Sequence, residues 1–194
     1  MPLLEKVLTD PKAGPRVRQR ALFVLAQNRS SKSRDSLMLI AKGGGNPDLQ
    51  AKAIEYLGAY GAKAELAQLY TSAGSPDAKL AIIDALSMAR DSDKLAELAK
   101  GERDTKLRSA AISRLGMFRN DKTAELLASM YSSESDPQMK KSILEGLYVQ
   151  RNGKVLVDLA RKESDPAMKR AIVERLSNMR SKEATEYMLE LLNK

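Results

Sequence analysis

The residues best suited to chemistry in this chain are cations at a recurring position. Four residues beyond a periodic leucine stand Arg29, Gly61, Arg90, Arg119, Arg151 and Arg180. Further basic residues follow closely: Lys32, Arg34, Lys63, Lys94, Lys122, Lys154 and Lys182. The six turns that hold these residues carry 12 basic and 5 acidic side chains, against 21 and 20 in the rest of the chain. Nearly all of the net charge of +8 therefore sits in six short stretches. Guanidinium and ammonium groups repeated in this way bind carboxylates or phosphates. The candidate basic ridge comprises Arg29, Arg90, Lys94, Arg119, Lys122, Arg151, Lys154, Arg180 and Lys182. A solvated edge is the competing reading, because a cation in the last turn of a helix already complements the macrodipole by roughly a few tenths of a kcal/mol. Phe118 is the one aromatic that the sequence interleaves with the ridge, so base stacking is poorly served.

Other chemistry finds little support. The chain contains no His, Cys or Trp. Zinc, copper and non-haem iron sites are therefore not expected, and neither is thiol chemistry or an imidazole base. No catalytic residue, metal ligand or cofactor is expected. Glu186 and Glu190 stand four apart on a terminal helix and read as a solvated face. Gly43-Gly44-Gly45 precedes a helix start but lacks the lysine motif and the strand of a phosphate-binding loop. It reads as a flexible connection.

The elements that must position the cations come from an internal repeat. The block Asp165–Leu176, DPAMKRAIVERL, recurs at Asp136–Leu147, Asp104–Leu115, Ser75–Leu86, Asn46–Leu57 and, more loosely, Gly14–Leu25. Five copies begin with a capping residue, Asn46, Ser75, Asp104, Asp136 or Asp165, and Pro follows the first position in all but the Asp104 copy, where Thr105 stands instead. Apolar residues then fall at helical spacing, as in Leu107, Ile112 and Leu115. A second helix follows in each repeat, with the apolar pairs Leu66/Leu69, Leu95/Leu98, Leu127/Met130, Leu156/Leu159 and Met188/Leu191. Leu189 and Leu192 extend the last of these stripes.

From the second apolar anchor to the next block's leucine the distance is always 20 residues, whereas within a repeat it is 9 or 12. The sequence thus places the irregularity in the turn inside the repeat. Leu3–Leu8 reads as the tail of a second-type helix. Low aromatic content and abundant Ala and Leu favour helix over strand. No apolar run reaches the ~18 residues of a membrane span, and MPLLEKVLTD does not read as a signal peptide. No membrane partner is expected, and the absence of Cys leaves the compartment open.

The acid–Pro turn, the apolar–basic pairs Val17-Arg18 and Leu107-Arg108, and the pattern A-x-x-x-L-G at Ala53–Gly58 and Ala111–Gly116 resemble HEAT repeats. The similarity is to the short-period type of phycobilisome-lyase-like proteins, and it covers the whole chain. It implies an all-α, right-handed α-α superhelix, an α-solenoid of about six two-helix repeats forming one domain. The repeats would span approximately 14–42, 46–71, 75–100, 104–132, 136–162 and 165–193, with a partial helix at 1–9. The first helix of each repeat would face outwards and the second would line a concave face. On that face Gln68, Glu97, Ser129 and Asp158 form a mildly acidic row with Leu39 and Glu190.

The resemblance further implies that the basic row Arg18, Gln50, Lys79, Arg108, Lys140 and Lys169 pairs with acids of adjacent repeats, Asp48 and Asp77 being candidates. Iron-binding HEAT hydroxylases need His, and HEAT-like DNA glycosylases need Trp, so neither activity is expected here. The expected role is a monomeric, non-enzymatic scaffold that binds another protein or peptide through the concave face and the basic edge. A nucleic-acid-binding module tracking phosphates along the ridge is the first alternative. A non-catalytic partner in a lyase-type assembly is the second.

Overall fold

The computed structural model describes residues 2–10, 12–43 and 46–193, and every side chain among them except those of Pro2 and Asp48. Gly44 and Gly45 of the glycine run, and the Asp48 side chain, lie outside the described residues. The described residues form α-helices joined by short loops, with no strand. In order they are α1 (Pro2–Thr9), α2 (Pro15–Gln27), α3 (Ser31–Ala41), α4 (Pro47–Ala59), α5 (Lys63–Ser72), α6 (Pro76–Met88) and α7 (Ser92–Gly101). Then come α8 (Thr105–Leu115), α9 (Asp121–Ser133), α10 (Pro137–Val149), α11 (Gly153–Lys162), α12 (Pro166–Ser177) and α13 (Lys182–Leu192). None of them is long and apolar enough to cross a membrane.

Local chemistry explains where the helices start. Ser75, Asp104, Asp136 and Asp165 each accept a hydrogen bond from an amide two or three residues on, at 2.7–3.2 Å. Asn46 does the same for Leu49 at 3.2 Å. These bonds satisfy amides that the first helical turn leaves without a partner. Proline then takes the first helical position of α2, α4, α6, α10 and α12, where its missing N–H costs nothing.

The chain divides into two compact units, residues 1–94 and 95–194. In the first, α2 and α6 both pack on α4, while α3 packs against α2 and α4 and α5 against α4 and α6. In the second, α8, α10 and α12 stack in sequence, and α9, α11 and α13 stack beside them. The recurring leucines form the core of both units: Leu25, Leu57, Leu86, Leu115 and Leu147 are 0% exposed and Leu176 is 1% exposed. Full burial of such a side chain contributes about 2 kcal/mol, and neighbours in the stack supply the cover that no single helix pair can.

Two corrections concern the second helix of each repeat. The three extra residues in the long repeats lie chiefly at the start of that helix rather than in the turn. Leu37, Leu127 and Met188 are the seventh residues of α3, α9 and α13, whereas Leu66, Leu95 and Leu156 are the fourth of α5, α7 and α11. Three residues are close to one helical turn of 3.6, so the anchor keeps its face. The second correction is in α13, whose buried side chains are Ala184 and Tyr187. Met188 and Leu191 are half-buried, while Leu189 and Leu192 are 55% and 81% exposed, and α13 packs chiefly on α11 and α12.

Side-chain volume decides how closely the first helices of successive repeats approach. The residue just after one leucine faces the residue just before the next. A Cβ built on Gly58 would stand 2.8 Å from the Ala85 carbonyl oxygen, and one on Gly116 would stand 2.6 Å from the Gly146 Cα. Backbones therefore meet directly at both crossings. Between α10 and α12 the same two positions hold Tyr148 and Arg175, and there the helices make less extensive contact.

Candidate anion-binding site

The turns after the first helices are of two kinds. In the short repeats the chain reverses through a left-handed residue: Gly61 (φ 70°), Arg90 (φ 55°) and Arg151 (φ 57°). The next amide reaches five residues back, from Ala62 to the Leu57 carbonyl, Asp91 to Leu86 and Asn152 to Leu147, at 2.9–3.3 Å. This is a Schellman closure, a position that favours glycine. An L-residue there costs about 1 kcal/mol. Arg151→Gly is therefore expected to stabilise the fold by about 1 kcal/mol, read as a raised midpoint in thermal unfolding followed by circular dichroism. In the long repeats Arg29, Arg119 and Arg180 each stand one residue before a capping side chain, that of Ser30, Asn120 or Ser181.

The second unit brings part of the ridge together. Arg119, Arg151 and Arg180 line one groove of about 640 Å³ with Tyr148, Val149 and Met179, and no carboxylate lines it. On the other side of Arg119 and Arg151 lies a smaller polar pocket of about 280 Å³, which adds Lys154, Gln150, Asp121 and Glu183. Arg119, Arg151, Lys154 and Arg180 are exposed, and their side chains have no hydrogen-bond, ion-pair or ring partner among the described residues. Four cations without an ion-pair partner on adjoining turns, against Asp121 and Glu183 in the smaller pocket, leave a net positive field for an anion.

The other ridge residues differ. Lys182 lies 3.8 Å from the Glu186 carboxylate, and Lys122 is exposed without lining either cavity. In the first unit Arg29 sits over the Tyr60 ring at 5.9 Å, and the Tyr60 hydroxyl donates to the Ala26 carbonyl. Burial raises the Tyr60 hydroxyl above its ordinary pKa, with Arg29 and Arg34 pulling against it. Arg90 is exposed and Lys94 half-buried. Phe118 is only 9% exposed, so it does not serve the ridge. Its carbonyl instead accepts from Thr123 Oγ1 at 2.7 Å and Gln150 Nε2 at 2.9 Å. The aromatic that does line the groove is Tyr148, which the sequence offered no reason to separate from the core stripe.

Gln68, Glu97, Ser129 and Asp158 are exposed on α5, α7, α9 and α11. In the second unit α9, α11 and α13 are adjacent, and Glu190 of α13 takes a 2.8 Å ion pair from Arg161 of α11. Among the described residues, no three acidic side chains are grouped closely enough to hold a metal ion.

Gln50, Lys79, Arg108 and Lys140 of the row inside the repeats serve the fold, whereas Arg18 Nε is buried without a hydrogen-bond partner among the described residues. Gln50 Nε2 donates to the Ala41 carbonyl at 3.0 Å and Arg108 Nε to the Ala99 carbonyl at 2.9 Å, each closing the end of the preceding helix. Lys79 and Lys140 lie over the rings of Tyr70 and Tyr131 at 5.1 and 4.7 Å. The acids met in the second unit are Glu134, 2.7 Å from Arg108, and Glu163, 3.3 Å from Lys140, each two residues before a capping Asp. Asp77 is exposed in the first turn of α6. The Asp136 amide, foremost, and Arg108 hold the Glu134 carboxyl below the ordinary carboxylate range against the effect of burial. For Glu163, burial pushes upward, but the Tyr131 hydroxyl (2.5 Å), the Asp165 amide (2.9 Å) and Lys140 outweigh it and the carboxyl is lowered. Burial, and then the Glu163 carboxylate, drive the Tyr131 hydroxyl well above its usual range.

No family model matches this chain, and no curated protein matches it.

Proposed function

We propose that the chain is a non-enzymatic binding scaffold: a right-handed α-solenoid of about six HEAT-like repeats in a single domain that holds a protein or peptide partner. The observation that carries this reading is the set Arg119, Arg151 and Arg180, exposed on three successive turns with no ion-pair partner among the described residues. Arginines placed to neutralise their own fold look different, as Arg108 and Arg175 do in their contacts with Glu134 and Glu145. In the second unit the exposed Glu97, Ser129 and Asp158 on the second helices supply surface of opposite tendency, and Gln68 is exposed at the same register in the first.

A nucleic-acid module is the second reading, favoured by the same unpaired arginines. Titration of labelled duplex DNA and single-stranded RNA by anisotropy, at about 50 and about 200 mM salt, separates the two. The scaffold reading expects weak binding at the lower salt and no tight complex. Tight binding that falls by orders of magnitude at the higher salt would replace it with phosphate tracking.

A further inference from the structure

We infer that the groove lined by Arg119, Arg151 and Arg180 docks an acidic peptide segment carrying an apolar side chain between its carboxylates. The inference rests on the scaffold reading and names the partner's chemistry. Three guanidinium groups face the groove, and a planar fork pairs with a carboxylate through two parallel hydrogen bonds. Between them lie Val149 and Met179, aliphatic surface that favours an alkyl or aryl side chain over solvent. The groove volume of about 640 Å³ lies in the range of pockets that hold compact ligands.

Two features favour a polypeptide over a nucleic-acid strand. Tyr148 is the one ring in the groove, so successive bases have nothing further to stack on. The adjoining pocket carries Asp121 and Glu183, which repel a strand charged at every residue more than a peptide whose carboxylates alternate with neutral side chains.

The test uses the full chain and a fluorescent peptide alternating Asp or Glu with Leu or Phe. Comparison probes are the same peptide with its acids replaced by Ser, polyglutamate, and single-stranded RNA. The acidic-apolar peptide is expected to bind best, and Arg119→Glu/Arg180→Glu is expected to weaken it at least roughly tenfold. Val149→Asp is expected to weaken it too, while Asp158→Lys leaves it unchanged. Matching circular dichroism melts establish that each variant is folded.

Equal binding to the Arg119→Glu/Arg180→Glu protein would overturn the groove assignment. If Asp158→Lys and Gln68→Ala then abolished binding, the scaffold reading would stand on its other face. RNA binding more tightly than every peptide, and lost in the Arg119→Glu/Arg180→Glu variant, would overturn both. No binding of the acidic-apolar peptide by the wild-type chain would overturn the inference directly.

Discussion

Gly116→Val is expected to destabilise the second unit by about 3 kcal/mol, enough to lower its urea midpoint severely for a unit of this size. The cost arises because the intruding Cβ meets main chain. A Cβ on Gly116 would stand 2.6 Å from the Gly146 Cα and 2.8 Å from its carbonyl oxygen, so no flexible side chain can yield. The helices themselves must part, and Leu115 and Leu147, both fully buried, lose cover when they do. Gly101→Ala is the matched control. Gly101 closes α7 with nothing within 4 Å of its Cβ position, so there the alanine is expected to add up to about 1 kcal/mol. Urea titration of both variants checks the contrast, and an unchanged midpoint for Gly116→Val would refute the close helix crossing.

The second large effect is the pH dependence set by Glu163. Its carboxyl is lowered in the folded chain, so ionisation favours the fold. That contribution is complete above the unfolded value of about 4.3 and is lost as pH falls through the folded value. Glu134, also lowered, acts in the same direction. Stability is therefore expected to hold from neutral pH down to about 5 and to fall below about 4. Glu163→Gln is expected to cost about 2 kcal/mol at neutral pH, since the Tyr131 hydroxyl and Lys140 lose a charged partner in a largely buried setting. The variant should also flatten the acid limb of a urea-midpoint curve measured against pH. An acid limb as steep as that of the parent would place the proton uptake elsewhere.

Much of the helical framework was legible because it is written in local chemistry. The capping residues Asn46, Ser75, Asp104, Asp136 and Asp165 all cap, and the proline or threonine after each begins a helix, since both effects act within one turn. The placement of the three extra residues was not legible. An added helical turn and a longer loop have the same residue count, and only the position of Leu37 or Leu127 within its helix separates them.

The site was half legible. Periodicity found Arg119, Arg151 and Arg180, but nothing in the spacing could show that Arg108 spends its charge on Glu134 while Arg151 spends none. Tyr148 was hidden because the groove it lines is completed by Met179 and Arg180 of the next repeat, a juxtaposition that local spacing does not encode. Phe118 was misplaced for the converse reason: a turn residue in sequence became a core residue once Thr123 and Gln150 closed over its carbonyl.

The Schellman turn at Arg151 carries a thermodynamic consequence for recognition. Ordering a backbone residue costs about 1–2 kcal/mol of entropy, and ordering a long side chain costs about as much again. Arg151 has its backbone share settled by the fold itself, through the amide of Asn152 bonded to the Leu147 carbonyl. A partner meeting that guanidinium has only side-chain rotamers left to restrict. The surface can therefore convert modest contacts into net affinity, because the entropy of the loop has been removed before the encounter.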